Sequence, residues 1–257
     1  MRIIAVPCLK DNYAYLVCDD GRGIAAIVDP GEAAPVLAAA AANSVRIATV
    51  WATHHHPDHV GGIAGLLAAL GPLEIVAHNS DRQRITHATR FVDDGDVVQL
   101  GDVAATIIFN PGHTLGAISY WLRDHDAVFT GDTLFGAGCG RMFEGNPPMM
   151  HASLMRLAAL PPTTRVYFGH EYTASNLRFA TLVSPHDAGV AARVAAVTAQ
   201  VAAGHATTPS LMADEVASNP FLRCADPAIV AAANERVPGT VAGAAAFGVL
   251  REWKNVA

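Results

Sequence analysis

The sequence predicts an α/β fold, layered and followed by a small helical C-terminal domain, and three observations predict it. Short β-branched or aromatic runs recur over the first two-thirds of the chain, each stopping at a polar turn. Alanine-rich segments of helical composition separate several of those runs. After His170 the strand-like runs cease and helical segments follow. The expected division is therefore a first domain of residues 1–170 and a helical second domain of residues 171–257. A length of 257 residues suits such a pair, and 51% hydrophobic residues against 16% charged excludes disorder.

Residues 24–28 read as a strand because they are apolar and β-branched and stop at Asp29-Pro30-Gly31, a turn. Residues 33–42 are almost all alanine or aliphatic and read as a helix. Residues 47–51 form a second buried strand that empties into Thr53-His54-His55-His56-Pro57-Asp58-His59. A helix over 63–70 and a strand over 75–77 follow. Residues 106–109 are a strand ending before His113, residues 118–122 and 127–130 are two more, the second ending before Asp132, and residues 165–168 end before His170. No strand is expected after Phe168. Beyond it, residues 176–184, 188–203 and 227–235 read as helices, the last with Asp226 as N-cap and Pro227 in its first turn. A final helix is expected to open at Pro238-Gly239-Thr240 and run toward Trp253.

Composition narrows the function. The longest apolar run, residues 241–250, has ten residues with two glycines, and a bilayer needs about twenty, so no membrane span is expected. The N-terminal apolar stretch breaks at Pro7 and is not followed by a small-residue cleavage site, so no secretory leader is expected. Cys8, Cys18, Cys139 and Cys224 are scattered, which suits reduced thiols of a cytoplasmic protein. A formal charge of -6 argues against a nucleic-acid partner.

The histidines carry the chemistry. Of 12 in the chain, four fall within residues 54–59. A lone histidine is more often a satisfied core or surface residue; four beside an aspartate, directly after a buried strand, are not. Alternate residues of a sharp loop point to one side, so His54 and His56 can share one metal while Asp58 and His59 face another. Completing ligands are expected at later strand ends, where His113, Asp132 and His170 stand. The expected sets are His54, His56 and His113 on one ion, Asp58, His59 and His170 on a second, and Asp132 across both. Two such ions can hold a hydroxide at neutral pH and polarise a carbonyl oxygen. His55 should point away from the ligand side.

The 53–59 loop, with His113, Asp132 and His170, resembles the metallo-β-lactamase superfamily, which implies an αββα sandwich with two metals at one edge. Gly138-Cys139-Gly140-Arg141-Met142-Phe143-Glu144-Gly145, Gly169-His170-Glu171-Tyr172-Thr173, Asn219-Pro220-Phe221-Leu222-Arg223 and the terminal Arg251-Glu252-Trp253-Lys254 resemble the glyoxalase II family, the hydroxyacylglutathione hydrolases. That resemblance implies hydrolysis of S-D-lactoylglutathione and related 2-hydroxyacyl-glutathione thioesters to D-lactate and glutathione, the second step of methylglyoxal detoxification. It implies two divalent ions per chain, zinc foremost with iron and manganese compatible, and Asp58 as the catalytic carboxylate that orients the attacking hydroxide or receives its proton. Arg141, Phe143, Tyr172, Arg251 and Lys254 match family positions that contact glutathione. Arg251 and Lys254 lie three apart on one helix face, where the resemblance implies they hold the glycine carboxylate; residue type and spacing alone suit a solvated helix end as well. Phe143 departs from the family pattern, which has a tyrosine there, so one hydroxyl contact is missing. A cytoplasmic monomer without nucleic-acid or membrane partners completes the expectation.

Overall fold

The connections between strands decide how the first sheet is ordered. In the computed structural model, which describes residues 1–257, the chain falls into two compact units: residues 1–109 with 116–131, and residues 110–115 with 132–257. The first unit begins with β1 (Arg2–Cys8), β2 (Asn12–Asp19) and β3 (Ile24–Val28), joined by tight turns and therefore antiparallel. From β3 the chain passes through α1 (Ala33–Ala42) to β4 (Arg46–Trp51), and through α2 (Pro57–Val60) and α3 (Ile63–Leu70) to β5 (Glu74–His78). A crossover helix returns the chain to the same end of the sheet, so β3, β4 and β5 pair in parallel, and β6 (Arg90–Val92) extends that run. The order is β1 to β6 in sequence. Pro7 is tolerated because β1 is an edge.

An antiparallel meander follows: β7 (Val97–Leu100), β8 (Val103–Phe109), β9 (Ile118–Leu122) and β10 (Ala127–Gly131). Aromatic rings fill the space between the two sheets. Trp51 stacks on Tyr120 with centroids 5.2 Å apart, Tyr15 meets Phe129 at 5.4 Å, and the Tyr120 hydroxyl donates to the Ala52 carbonyl at 2.9 Å. Each such buried side chain contributes about 1.5–3 kcal/mol of apolar burial. On the first sheet's other face, Val36 of α1 and Ile63 and Leu66 of α3 pack onto Ile27, Val50 and Ile75. Parallel pairing has one consequence for function. The carboxyl ends of β3, β4 and β5 open on one edge, where Asp29, the 53–59 loop and Asp81 follow them directly.

The second unit opens with the hairpin of β11 (Leu134–Phe135) and β12 (Gly138–Cys139). Next come α4 (Pro147–Ala158), capped by the Asn146 side chain on the Met149 N–H, and β13 (Arg165–Phe168). Then follow α5 (Thr173–Val183), α6 (Ala188–Ala202), β14 (Ser210–Leu211), α7 (Met212–Ser218), α8 (Pro227–Arg236) and α9 (Ala244–Val256). Phe179, Phe221, Phe247 and Trp253 form one aromatic cluster across α5, α9 and the segment after α7.

The expected elements of the first two-thirds are present. Asp226 caps α8 as expected, its side chain accepting from the Ala228 N–H, and all four cysteines are free and buried. Two expectations are corrected. A strand does follow Phe168: β14 pairs antiparallel with β13, and two residues are too few to show any period. The last helix begins at Ala244, not at residue 238, because Gly239 and Gly243 take positive φ and the Asn234 side chain ties the 239–240 backbone into a turn. Helix α4 went unread although Asn146-Pro147 is a cap followed by proline at the first helical position.

Glu215 of α7 holds the second unit's irregular segments together. Fully buried, it accepts from the Ala137 N–H at 2.8 Å and the Ser210 hydroxyl at 2.7 Å, and it pairs with Arg193 of α6. Glu215→Ala is expected to cost about 3–5 kcal/mol, since it leaves a largely buried guanidinium without its carboxylate. Chemical denaturation would show this as a lower midpoint at unchanged slope.

Candidate metal centre

Strand β4 delivers the histidine loop, and Asp29 at the end of the neighbouring β3 organises it. Asp29 is buried, and its φ of 48° lies in the left-handed region, which aspartate tolerates better than most residues. Its Oδ1 accepts the Thr53 N–H at 2.7 Å, and its Oδ2 accepts the Thr53 hydroxyl at 2.6 Å. The same Oδ2 lies 2.9 Å from His59 Nδ1, which therefore carries its proton there and leaves the Nε2 lone pair for a ligand role. With its own proton given to Asp29, the Thr53 oxygen is left to accept from His54 Nδ1 at 3.0 Å, which again frees Nε2. His54 Nε2 converges with His56 Nδ1 at 3.0 Å. Asp58 Oδ2 stands 3.7 Å from His59 Nε2 and accepts from the Asn12 side chain at 2.9 Å. His54 and His59 are buried; His56 and Asp58 are half-buried.

The second unit brings together the other three expected ligands. Asp132 Oδ2 lies 3.4 Å from His113 Nε2 and 3.3 Å from His170 Nε2, and all three residues are buried. His113 Nδ1 donates to the Arg141 carbonyl at 2.8 Å, so here too the converging nitrogen is the one with the lone pair. Each set thus offers neutral imidazole nitrogens and a carboxylate oxygen, aimed inward and fixed from behind. That donor chemistry fits a divalent zinc, iron or manganese ion.

Three of the expected substrate residues, Arg141, Phe143 and Tyr172, touch this second set. The Phe143 ring meets the His113 ring edge-on at 5.4 Å and is 64% exposed. Tyr172 stacks flat on His170 at 4.8 Å. Arg251 is not a solvated helix end: it is 3% exposed, its Nη1 donates to the Cys139 carbonyl at 2.8 Å, and its buried Nε has no partner. Lys254 Nζ sits 5.2 Å from the Phe179 ring centroid. Burial, helped by the like charges of Arg251, Arg178 and Arg141, brings its pKa down from 10.5 to about 8. An acidic protein thus concentrates four cations in one neighbourhood.

Sequence reasoning missed Asp29, Asn12 and Arg178. Asp29 left a signal, since a carboxylate at a strand's carboxyl end beside a ligand-bearing strand is a candidate partner for a ligating histidine. Nothing in the local sequence marks Asn12 or Arg178, which reach their partners through tertiary packing alone.

The chain is similar to known proteins along its whole length. Residues 10–170 match the family described as the metallo-beta-lactamase superfamily, and residues 171–257 match the hydroxyacylglutathione hydrolase C-terminus. The hydroxyacylglutathione hydrolase of Rhodopseudomonas palustris (strain BisA53) is 46% identical over 248 residues, covering 96% of each chain. Among solved structures, ETHE1 from Myxococcus xanthus superposes with a TM-score of 0.68 at 26% identity, covering 100% of this chain and 92% of that one. The di-iron-bound form of TTHA1623 gives a TM-score of 0.54 at 30% identity, covering 66% of this chain and 92% of the other. The fold is the metallo-β-lactamase fold with mixed sheets flanked by helices and a helical C-terminal region, and the chain belongs to the hydroxyacylglutathione hydrolase family.

Proposed function

We propose that this protein hydrolyses 2-hydroxyacyl-glutathione thioesters, S-D-lactoylglutathione foremost, to the hydroxyacid and glutathione, the second step of methylglyoxal detoxification. Family membership along the whole chain supports the reaction. The observation that carries the substrate class is the buried Arg251, whose unpartnered Nε lies among further cations and favours an anionic ligand.

In this reading the two ligand sets serve one dinuclear centre. His54, His56 and His113 would hold one ion and Asp58, His59 and His170 the other, with Asp132 available to both; zinc is the first choice, and the same donors would accept iron or manganese. The similar TTHA1623 structure, in a di-iron-bound form, supports two ions. When bound, the ions lower the pKa of water and polarise the thioester carbonyl. Asp58, steadied by Asn12, orients the attacking water and takes its proton. Arg251 and Lys254 bind the glycine carboxylate of glutathione, and Arg141 and the Tyr172 hydroxyl hold the rest of the tripeptide. Phe143 offers that tripeptide an apolar contact without a hydroxyl. The departing thiolate is a good leaving group and needs no acid. By role, residues 1–170 carry the chemistry, and residues 171–257 complete the grip on glutathione that Arg141 and Phe143 begin. No helix is long and apolar enough to cross a membrane, and the proposed form is a cytoplasmic monomer acting on a small molecule, not on nucleic acid.

Loss of the thioester absorbance band of S-D-lactoylglutathione is the direct test. Wild type should clear it, and Arg251→Ala with Lys254→Ala should raise KM about tenfold to a hundredfold. Clearance untouched by the double change would move the anion site elsewhere; no clearance by a metal-loaded protein would end the thioesterase reading. Asp58→Asn at full metal occupancy should lower kcat by about 10²–10⁴, and an unchanged kcat would remove Asp58 from the reaction.

Lys254 should also give the KM a pH dependence. Its pKa of about 8 in the free protein lies below the ordinary 10.5, so the ammonium form is disfavoured there and a bound carboxylate should raise it again. Affinity is then full below about pH 8 and declines above it, while the free protein gains stability between about pH 8 and 10.5 as the unfolded chain holds the proton longer. A KM that rises on the alkaline side in wild type, and stays level in Lys254→Arg, is the expected result.

A further inference from the structure

His55 is the one histidine of the loop that the ligand sets leave out, and its surroundings are built. Its Nδ1 lies 3.2 Å from Asp81 Oδ1. Arg84 Nη1 approaches both ring nitrogens of His55 at 3.4 Å and stands 3.9 Å from the same Asp81 oxygen. Asp81 is 1% exposed although it sits in a single 3₁₀ turn, Asn79–Asp81, just past β5. Room for its carboxylate depends on Gly116: a Cβ there would fall 2.4–2.6 Å from three of its atoms. A buried carboxylate is costly unless it is paired, and this one is spent on a residue that no ligand set uses.

We propose that Asp81 is a positioning residue for the metal loop. The His55 ring meets the His56 ring edge-on with centroids 5.1 Å apart, and the His56 ring in turn meets His54 at 4.7 Å. Fixing His55 therefore fixes the ring against which His56 packs, and with it the approach of His56 Nδ1 to His54 Nε2. Asp81 accepts a hydrogen bond from the His55 Nδ1–H, which leaves Nε2 to accept from Arg84, so the ring is held at both nitrogens. The carboxyl end of β5 thereby braces the loop that leaves β4, just as Asp29 at the end of β3 braces it from the other flank.

The inference rests on the metal reading, and the test separates the two. Zinc-loaded wild type, Asp81→Ala and Asp81→Asn would be challenged with excess EDTA, with zinc release followed over time and the melting temperature of each apo-protein measured alongside. Asp81→Ala should release zinc about tenfold faster or more, with an apo-protein melt close to wild type and an unchanged KM for S-D-lactoylglutathione under saturating zinc. Asp81→Asn keeps an acceptor for His55 and should recover most of the retention. Release from Asp81→Ala at the wild-type rate would overturn the proposal, as would an asparagine variant no better than alanine, or faster release accompanied by an equal collapse of the apo-protein melt. Wild type that takes up no zinc would overturn the metal reading itself, and the proposal with it.

Discussion

One buried carboxylate, that of Asp29, sets the chemistry of the loop beside it. It accepts three hydrogen bonds, two from Thr53 and one from His59, and through the Thr53 hydroxyl its influence reaches His54. Two imidazoles thereby receive a defined tautomer from a single source. The position is strained, with φ of 48°, and left-handed backbone at a non-glycine residue persists only where the surroundings hold it. Here the surroundings are the ligand loop, so strain and site support each other.

The topology explains why that carboxylate is in reach. Antiparallel strands would have sent successive loops to opposite edges. Parallel β3, β4 and β5 send Asp29, the histidine loop and Asp81 to the same edge, in that spatial order. The central loop is therefore flanked on both sides by acids from its neighbours. A carboxylate beside an imidazole does two jobs, orienting the ring and raising its basicity as a donor. The remaining donors, His113, Asp132 and His170, likewise stand just beyond β8, β10 and β13.

Much of this was legible in the sequence, and what was not has a physical reason. The strands carrying ligands were readable because each is a short apolar run ending abruptly in a histidine or aspartate. The seven ligand candidates were readable because four of them crowd one loop. Asp29 sits in a turn motif, Asp-Pro-Gly, that local propensity already explains, so its signal lies only in its place at a strand end beside the histidine-bearing strand. Asn12 and Arg178 lie far along the chain from the groups they influence, and only packing reveals them. The two-residue β14 and the delayed start of α9 depend on pairing with β13 and on two glycines in positive φ, neither of which leaves a periodic trace. Arg251 shows the same limit from the other side. Its spacing from Lys254 fits a solvated helix face as well as a binding site, and only its burial with an unpartnered Nε separates the two.

Histidines elsewhere in the chain sharpen the distinction between a ligand and a structural residue. His78 and His151 have pKa values lowered by burial, His78 lying flat against Phe109 and His151 packing near Phe247. Their environments disfavour charge, and the His78 Nδ1 lone pair goes to the Ser80 N–H at 3.2 Å rather than to a cluster of donors. His54, His59 and His113 instead each have one nitrogen committed, to Thr53, Asp29 and the Arg141 carbonyl, and the other aimed at a converging donor. A histidine meant to shuttle protons needs both nitrogens in exchange with its surroundings. Rings pinned at one nitrogen, with the second turned inward among carboxylate oxygens, are suited to hold a cation. The chain thus builds a cluster of inward-turned donors at the loop and a group of cations in Arg141, Arg178, Arg251 and Lys254, two opposite electrostatic environments from separate elements of one acidic protein.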